Sequence, residues 1–276
     1  MYLKHWHLTR PPFENVNDPS FMYASGKHRE ALARIRYAVE QKKLGAMLLG
    51  HHGTGKTYSS RVLRRLCEGP NRQFLFFTNP RITPVEFLKE IYRQLGNDPA
   101  AVLPDSKGEL ARLVQNRLKE VNGAGRHVVV VVDEAQSIDG EGLLEEIRLL
   151  MNMQGDEENY FTLIMLGQPQ FKEMLDKIPQ FKQRLAVVYT LEHLDEAETS
   201  AYVTHRMSVA GSPNEVFEAS ALSEVHRVSQ GMPRVINNVC DLALLHAFLK
   251  KLPSVTAQTV REASLEIAGA AQEKEA

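Results

Sequence analysis

The sequence predicts an α/β protein: a doubly wound parallel sheet over residues 27–194, followed by a small all-helical domain over residues 195–268. Three observations carry this reading. Apolar runs of strand length alternate with amphipathic segments of helical period as far as Leu194. One run, Val128–Val132, is five consecutive valines, the pattern of a strand covered on both faces. After Leu194 the strand signals stop, and four amphipathic segments follow, separated by breaks that contain Gly or Pro.

The elements follow in order. The opening Leu8–Phe13 contains consecutive prolines, which fix φ and remove donors, so residues 1–26 read as an extended arm. Lys27–Lys43 is amphipathic at helical period and ends in a Lys-rich turn before Gly45. Ala46–Leu49 is the first strand, and Tyr58–Cys67 the helix after the next loop. Gln73–Thr78 reads as a second strand closed by Asn79-Pro80. Thr83-Pro84-Val85-Glu86 supplies a cap, a proline at the first helical position and an acid in the first turn, so a helix to Leu95 is expected.

A helix over Lys107–Val121 precedes the valine strand. Glu141–Met153 is then helical, Tyr160–Leu166 a strand, Gln170–Arg184 a helix interrupted near Pro179, and Ala186–Leu191 a fifth strand. The helical domain comprises Asp195–Ala210, Asn214–Ser229, Pro233–Leu249 and Thr256–Ala268, with residues 269–276 expected to fray.

Composition bounds the function. The 276 residues are 43% hydrophobic and 24% charged, as in a globular protein of one large or two modest domains, and the net charge of −1 argues against a heavily basic nucleic-acid binder. Cys67 and Cys240 lack metal-ligand spacing and read as buried free thiols of a reducing compartment. Met1–Arg10 has no apolar core of a secretory signal, and the longest uncharged apolar stretch, Asn159–Phe171, is too short for a bilayer. A soluble, cytoplasmic protein without a membrane-spanning segment is expected.

The chemistry centres on Gly50-His51-His52-Gly53-Thr54-Gly55-Lys56-Thr57, which fits G-x-x-x-x-G-K-S/T between a strand and a helix. Glycines let the backbone wrap a triphosphate with its N–H groups pointing inward. Lys56 adds a point charge for the β- and γ-phosphates, Thr57 a hydroxyl for Mg²⁺, and the following helix the positive end of its dipole. The expected nucleotide contacts along the loop and first helical turn are Gly50, His52, Gly53, Thr54, Gly55, Lys56, Thr57 and Tyr58. The imidazoles of His51 and His52 read as loop filler, since adjacent residues do not converge on one ion.

Asp133 and Glu134 leave the valine strand at its carboxyl end, where α/β sheets bind ligands. Asp133 suits Mg²⁺, and Glu134 suits polarising a water for attack on the γ-phosphate. Gln168, after the fourth strand, can orient that water, or serve only its own turn. Arg184 is a candidate arginine finger for a neighbouring subunit, or a cation that suits a helix C-terminus. Arg234 opens a helix, where its charge opposes the dipole unless a ligand phosphate is present. Arg61, Arg64 and Arg65, like Arg29, Arg34 and Arg36, read first as solvated helix faces, and Trp6 and Phe13 as core or arm anchors.

Together these residues resemble the AAA+ ATPases of the ExeA/GspA type, with the pilus-biogenesis protein MshM and the transposition ATPases MuB, TniB and TnsC as relatives. The resemblance runs from Tyr2-Leu3-Lys4-His5-Trp6 and Pro12-Phe13 through Val132-Asp133-Glu134-Ala135-Gln136, Leu166-Gly167-Gln168-Pro169 and Gln183-Arg184-Leu185-Ala186 to Gly231-Met232-Pro233-Arg234-Val235-Ile236-Asn237-Asn238. It implies ATP with Mg²⁺ and a helical lid. It also implies Lys56 and Thr57 as Walker A, Asp133 and Glu134 as Walker B, Gln168 at sensor 1, Arg184 at a finger position and Arg234 at sensor 2. Arg148 remains an alternative finger.

A finger acting in trans implies a ring or filament of the chain with itself. Two partner classes stay open: duplex DNA with a transposase, or secretin, type II secretion and pilus-assembly proteins at the inner membrane. Membrane-bound secretion members continue into a transmembrane helix and a peptidoglycan-binding region not seen here, so either an excised ATPase region or a stand-alone member fits. The reading adopted is an ATPase that couples ATP binding and hydrolysis to oligomer assembly and partner recruitment, with a nucleotide binder without turnover as a third, minor reading.

Overall fold

A computed structural model describes residues 2–15, 18–96, 98, 100–155, 159–212 and 215–272. Its helices are α1 Tyr2–His5, α2 Gly26–Glu40, α3 Lys56–Cys67, α4 Pro84–Gly96, α5 Lys107–Gly123, α6 Glu141–Leu150, α7 Pro169–Asp176, α8 Pro179–Lys182, α9 Glu196–Val209, α10 Ala219–Ser229, α11 Pro233–Leu249 and α12 Ala257–Gln272. The strands are β1 Gly45–Gly50, β2 Arg72–Phe77, β3 His127–Val132, β4 Phe161–Gly167 and β5 Leu185–Leu191. They group into two compact units: His28–His52 with Lys56–Leu191, and Met1–Lys27 with Gly53–Gly55 and Glu192–Ala276.

The first unit is the α/β domain. All strands are parallel, in the order β2-β3-β4-β1-β5, which puts the strand before the phosphate loop inside the sheet. The valine strand behaves as its composition demands, with every residue of β3 buried. Val128, Val130 and Val132 pack on one face with Met47, Leu163, Leu88, Val114 and Leu144, while Val129 and Val131 are equally buried on the other. Each such aliphatic side chain contributes about 1.5–3 kcal/mol by leaving water. The register pairs Leu49 with Gly167 and Val132 with Met165, so Gly50, Asp133 and Gln168 stand at the same carboxyl end of the sheet.

The second unit is helical and has its own core. Trp6, Leu8, Phe13 and Phe21 pack with Tyr202, Val203, Val225, Ile236, Cys240 and Leu244. The opening residues are therefore core material of this unit rather than a simple extended arm: α1 carries Tyr2, whose hydroxyl donates to Asp241 Oδ1 at 2.5 Å, and Trp6 Nε1 donates to Leu244 O at 3.2 Å. α9 starts with the reciprocal box its sequence encodes, Asp195 accepting from Glu198 N and Glu198 from Asp195 N.

The expected helix over Asn214–Ser229 begins only at Ala219. Phe217 instead forms a parallel bridge to Val255, with Val255 N donating to Val216 O at 2.8 Å and Glu218 N to Val255 O at 3.0 Å. Burial of Val216, Phe217 and Val255 outweighs the local helical pattern. At the other end α12 extends past Ala268 to Gln272, and the rest of the expected frayed tail, residues 273–276, lies outside the described residues.

Gly231 fixes the entry to α11. Its φ is +69°, and a Cβ there would lie 1.8 Å from the Leu194 carbonyl oxygen, while its own carbonyl accepts from Leu194 N at 3.0 Å. Gly231→Ala is expected to destabilise the helical unit by about 2–4 kcal/mol in urea unfolding followed by circular dichroism. Gly108→Ala, in the first turn of α5 with open space around it, is the matched control and is expected to raise stability by up to about 1 kcal/mol.

Candidate functional site: a nucleotide site at the carboxyl ends of the parallel strands

The loop after β1 turns through two left-handed glycines, Gly53 at φ +81° and Gly55 at φ +92°, before α3 begins at Lys56. Residues with a Cβ are strained at such angles, which is why the motif needs glycine there. Gly50 remains in β1, paired with Leu191 of β5. Thr54 is buried, whereas His51 and His52 are exposed.

Lys56 is 5% exposed. Its ammonium donates to Gly50 O at 2.7 Å and His51 O at 2.9 Å, so the loop folds back over its own lysine. Burial pushes the Lys56 ammonium below the usual lysine range, while the carboxylates of Glu134 and Asp133 pull it back up. Thr57 and Tyr58 follow, half-buried, in the first turn of α3.

The end of β3 supplies the acids. Asp133 is buried and extends the ladder, its N–H donating to Phe77 O at 2.8 Å. Its Oδ1 accepts from Glu134 N at 2.9 Å. Glu134 sits at φ 51°, ψ 40°, a left-handed conformation unusual for a side chain of this size and frequent at functional sites. The end of β4 supplies Gln168, the extended residue before α7, whose side-chain amide makes no hydrogen bond to a described residue. Gly167 before it admits the Phe171 ring, 3.2 Å from where a Cβ would stand.

One residue bridges these two strand ends, and sequence reasoning gave it no role. Gln136 Nε2 donates to Glu134 Oε2, and Gln136 Oε1 accepts from Gln168 N at 3.0 Å. Its presence in the motif after Glu134 was the available signal; its partner on another strand was not legible.

The two finger candidates differ. Arg184, half-buried between α8 and β5, forms no ion pair with any described residue. Arg148 is held by Glu145 through two contacts, Nε–Oε2 at 2.7 Å and Nη2–Oε1 at 2.6 Å. In the helical unit Arg234 is the second residue of α11, and a Cβ on Gly53 would stand 3.0 Å from the Arg234 Cβ. The expectation that Trp6 and Phe13 are core anchors holds, both being buried among the helices.

Residues 39–175 match the family model described as an AAA domain. The chain carries an AAA domain. It is also 35% identical over 274 residues, 98% of its length, to the general secretion pathway protein A of Aeromonas hydrophila, and spans about half (49%) of that relative's length. Among solved structures it resembles the Aeropyrum pernix ORC2 protein in its ADPNP-ADP complexes, at TM-score 0.67 and 20% identity over 93% of this chain and 71% of that one. It resembles the Drosophila ORC bound to DNA at TM-score 0.71 and 20% identity, over 97% and 66% of the two chains. These likenesses establish an AAA+ fold of the ORC type.

The residues present fit a Mg-nucleotide in the AAA domain. The left-handed glycines let the loop backbone turn without a side chain on its concave face, the form in which successive N–H groups can cradle an anion. Mg²⁺ keeps several waters and needs few protein oxygens, so a buried aspartate at the end of β3 and a threonine at the start of α3 are donors of a suitable kind.

Lys56→Met is expected to weaken nucleotide binding at least tenfold, about 1.4 kcal/mol, in titration with a fluorescent ATP analogue. Without nucleotide the same variant should unfold within about 1 kcal/mol of the parent, because removing a buried ammonium relieves its desolvation as it removes two hydrogen bonds.

Proposed function

We propose that this chain is a Mg²⁺-dependent ATPase whose hydrolysis cycle is completed between copies of itself. The observation that carries the reading is the convergence on one end of the sheet of a buried lysine at a helix start, two acids after β3 and an amide after β4. Lys56 neutralises the β- and γ-phosphates, and the backbone of Gly50–Gly55, with the neighbouring His52 and Tyr58, wraps them. Thr57 and Asp133 would hold Mg²⁺, which supplies charge neutralisation across the phosphates. Glu134 takes the proton of the attacking water, and Gln168 orients that water against the γ-phosphate.

Arg184 is assigned as the finger acting in trans, because its side chain has no partner among the described residues while Arg148 is engaged by Glu145. Arg234 is assigned to the nucleotide from the resemblance of Gly231-Met232-Pro233-Arg234 to the lid motif. Switching of assembly state or partner affinity would follow the loss of the γ-phosphate.

For the partner, the likeness to general secretion pathway protein A over nearly the whole chain supports a role energising secretin, type II secretion or pilus assembly. No helix among the described residues is long and apolar enough to cross a membrane, so in this reading the described chain acts from the membrane's face. One observation favours a DNA-bound transposition regulator instead: the exposed Arg61, Arg64 and Arg65 on α3, of which only Arg64 has an acidic neighbour, Glu68 at 3.7 Å.

Glu134→Gln is expected to bind ATP with near-parental affinity and to lose at least about a hundredfold in turnover. Arg184→Ala should also be inactive alone, and mixing the two inactive variants should restore turnover, since the intact Glu134 of one copy meets the intact Arg184 of the next. Normal hydrolysis by Glu134→Gln rejects the site assignment, and failure to complement rejects the shared site. Duplex DNA is expected to leave the rate unchanged at low and moderate salt; a strong salt-sensitive stimulation would instead identify a DNA-transaction ATPase.

A further inference from the structure

The amide of Gln136 joins the end of β3 to the end of β4. It donates from Nε2 to the Glu134 carboxylate and accepts at Oε1 from the Gln168 backbone N–H at 3.0 Å. Both halves of the amide are used, which fixes its orientation: a flipped amide would place oxygen against oxygen at Glu134 and N–H against N–H at Gln168. Gln136 itself is held in the short helical turn Ala135–Ser137, where Ser137 N donates to Glu134 O at 2.7 Å and Ile138 N to Ala135 O at 3.2 Å.

The backbone around Glu134 makes the link consequential. In its left-handed conformation Glu134 depends on neighbouring contacts to stay put: besides the Ser137 bond to its carbonyl, its N–H donates to Asp133 Oδ1 at 2.9 Å and its carboxylate accepts from Gln136. The backbone bonds orient the peptide and the Gln136 bond orients the side chain. With Oε2 engaged, Oε1 is the oxygen left for a water, and the carboxylate rotamer is set relative to the strand that carries Gln168.

We propose that Gln136 is a positioning residue for hydrolysis, a rigid amide link that registers the Glu134 carboxylate against the Gln168 strand end so that base and water-orienting amide act on one water. This rests on the roles proposed above for Glu134 and Gln168. Because the link is a pair of hydrogen bonds rather than packing, it acts on turnover and leaves nucleotide binding, made by Lys56 and the loop, intact.

The test compares Gln136→Met, which keeps the length and approximate volume of the side chain but neither hydrogen bond, with Gln136→Ala, both in the full chain. Both are expected to lower kcat about ten- to hundredfold with the ATP dissociation constant within about twofold of the parent. A packing role predicts that Met retains activity where Ala loses it, and that result, or parental kcat in both, overturns the proposal. In a cycle with Glu134→Gln, the Met substitution should cost nothing further, since a link to an absent base has nothing to position. Full additivity overturns it. Parental turnover by Glu134→Gln alone would instead reject the hydrolytic site itself, which separates that failure from failure of the link.

Discussion

Burial of one ammonium group, Lys56, is the constraint around which the α/β unit is arranged. A cation 5% exposed is held below its ordinary protonation range by desolvation and is tolerable only where oxygens surround it. The carbonyls of Gly50 and His51 provide the nearest, and the carboxylates of Glu134 and Asp133 the longer-range field. To bring those carbonyls round, the loop reverses through left-handed glycines. To bring the acids within reach, β3 must lie in the sheet interior and run parallel to β1, with only β4 between them. In the proposed reading a phosphate would replace these neutral carbonyl acceptors with a charged one.

The helical unit solves a similar problem with neutral hydrogen-bond acceptors. Arg206 is 5% exposed and donates to Pro12 O, Glu14 O at 2.9 Å, Tyr202 Oη at 2.9 Å and Asn237 Oδ1 at 3.2 Å, with Phe21 4.8 Å beneath the guanidinium. Two of those acceptors are backbone carbonyls of the opening segment. The proline-rich stretch, unable to pair in a sheet or helix, thus presents its carbonyls to an arginine and its rings to the core. This explains why the opening residues are continuous with the helical unit.

Much of the site was readable before any coordinates. Lys56, Thr57, Asp133 and Glu134 announce themselves by spacing and by the apolar strands before them, because phosphate chemistry needs those types at those strand ends. Roles that depend on a partner far along the chain were not readable. Nothing near Arg148 distinguishes it from Arg184 in sequence except Glu145, and only the coordinates show that pair formed. Gln136 meets Gln168 thirty-two positions later, through the register of β3 against β4. Phe217 and Val255 form a bridge where local periodicity favoured helix, since two buried side chains outweigh a propensity of tenths of a kcal/mol per residue.

The sequence by itself determined the strands, most helices, the phosphate loop and the acids after β3, because periodicity, proline, glycine and motif spacing act over a few residues. Tertiary structure decided which cations are engaged, how the opening segment is used and how Glu134 is held. Those outcomes depend on burial and on hydrogen bonds between residues brought together only when the sheet and the helical core close, and short-range pattern carries no information about such distances.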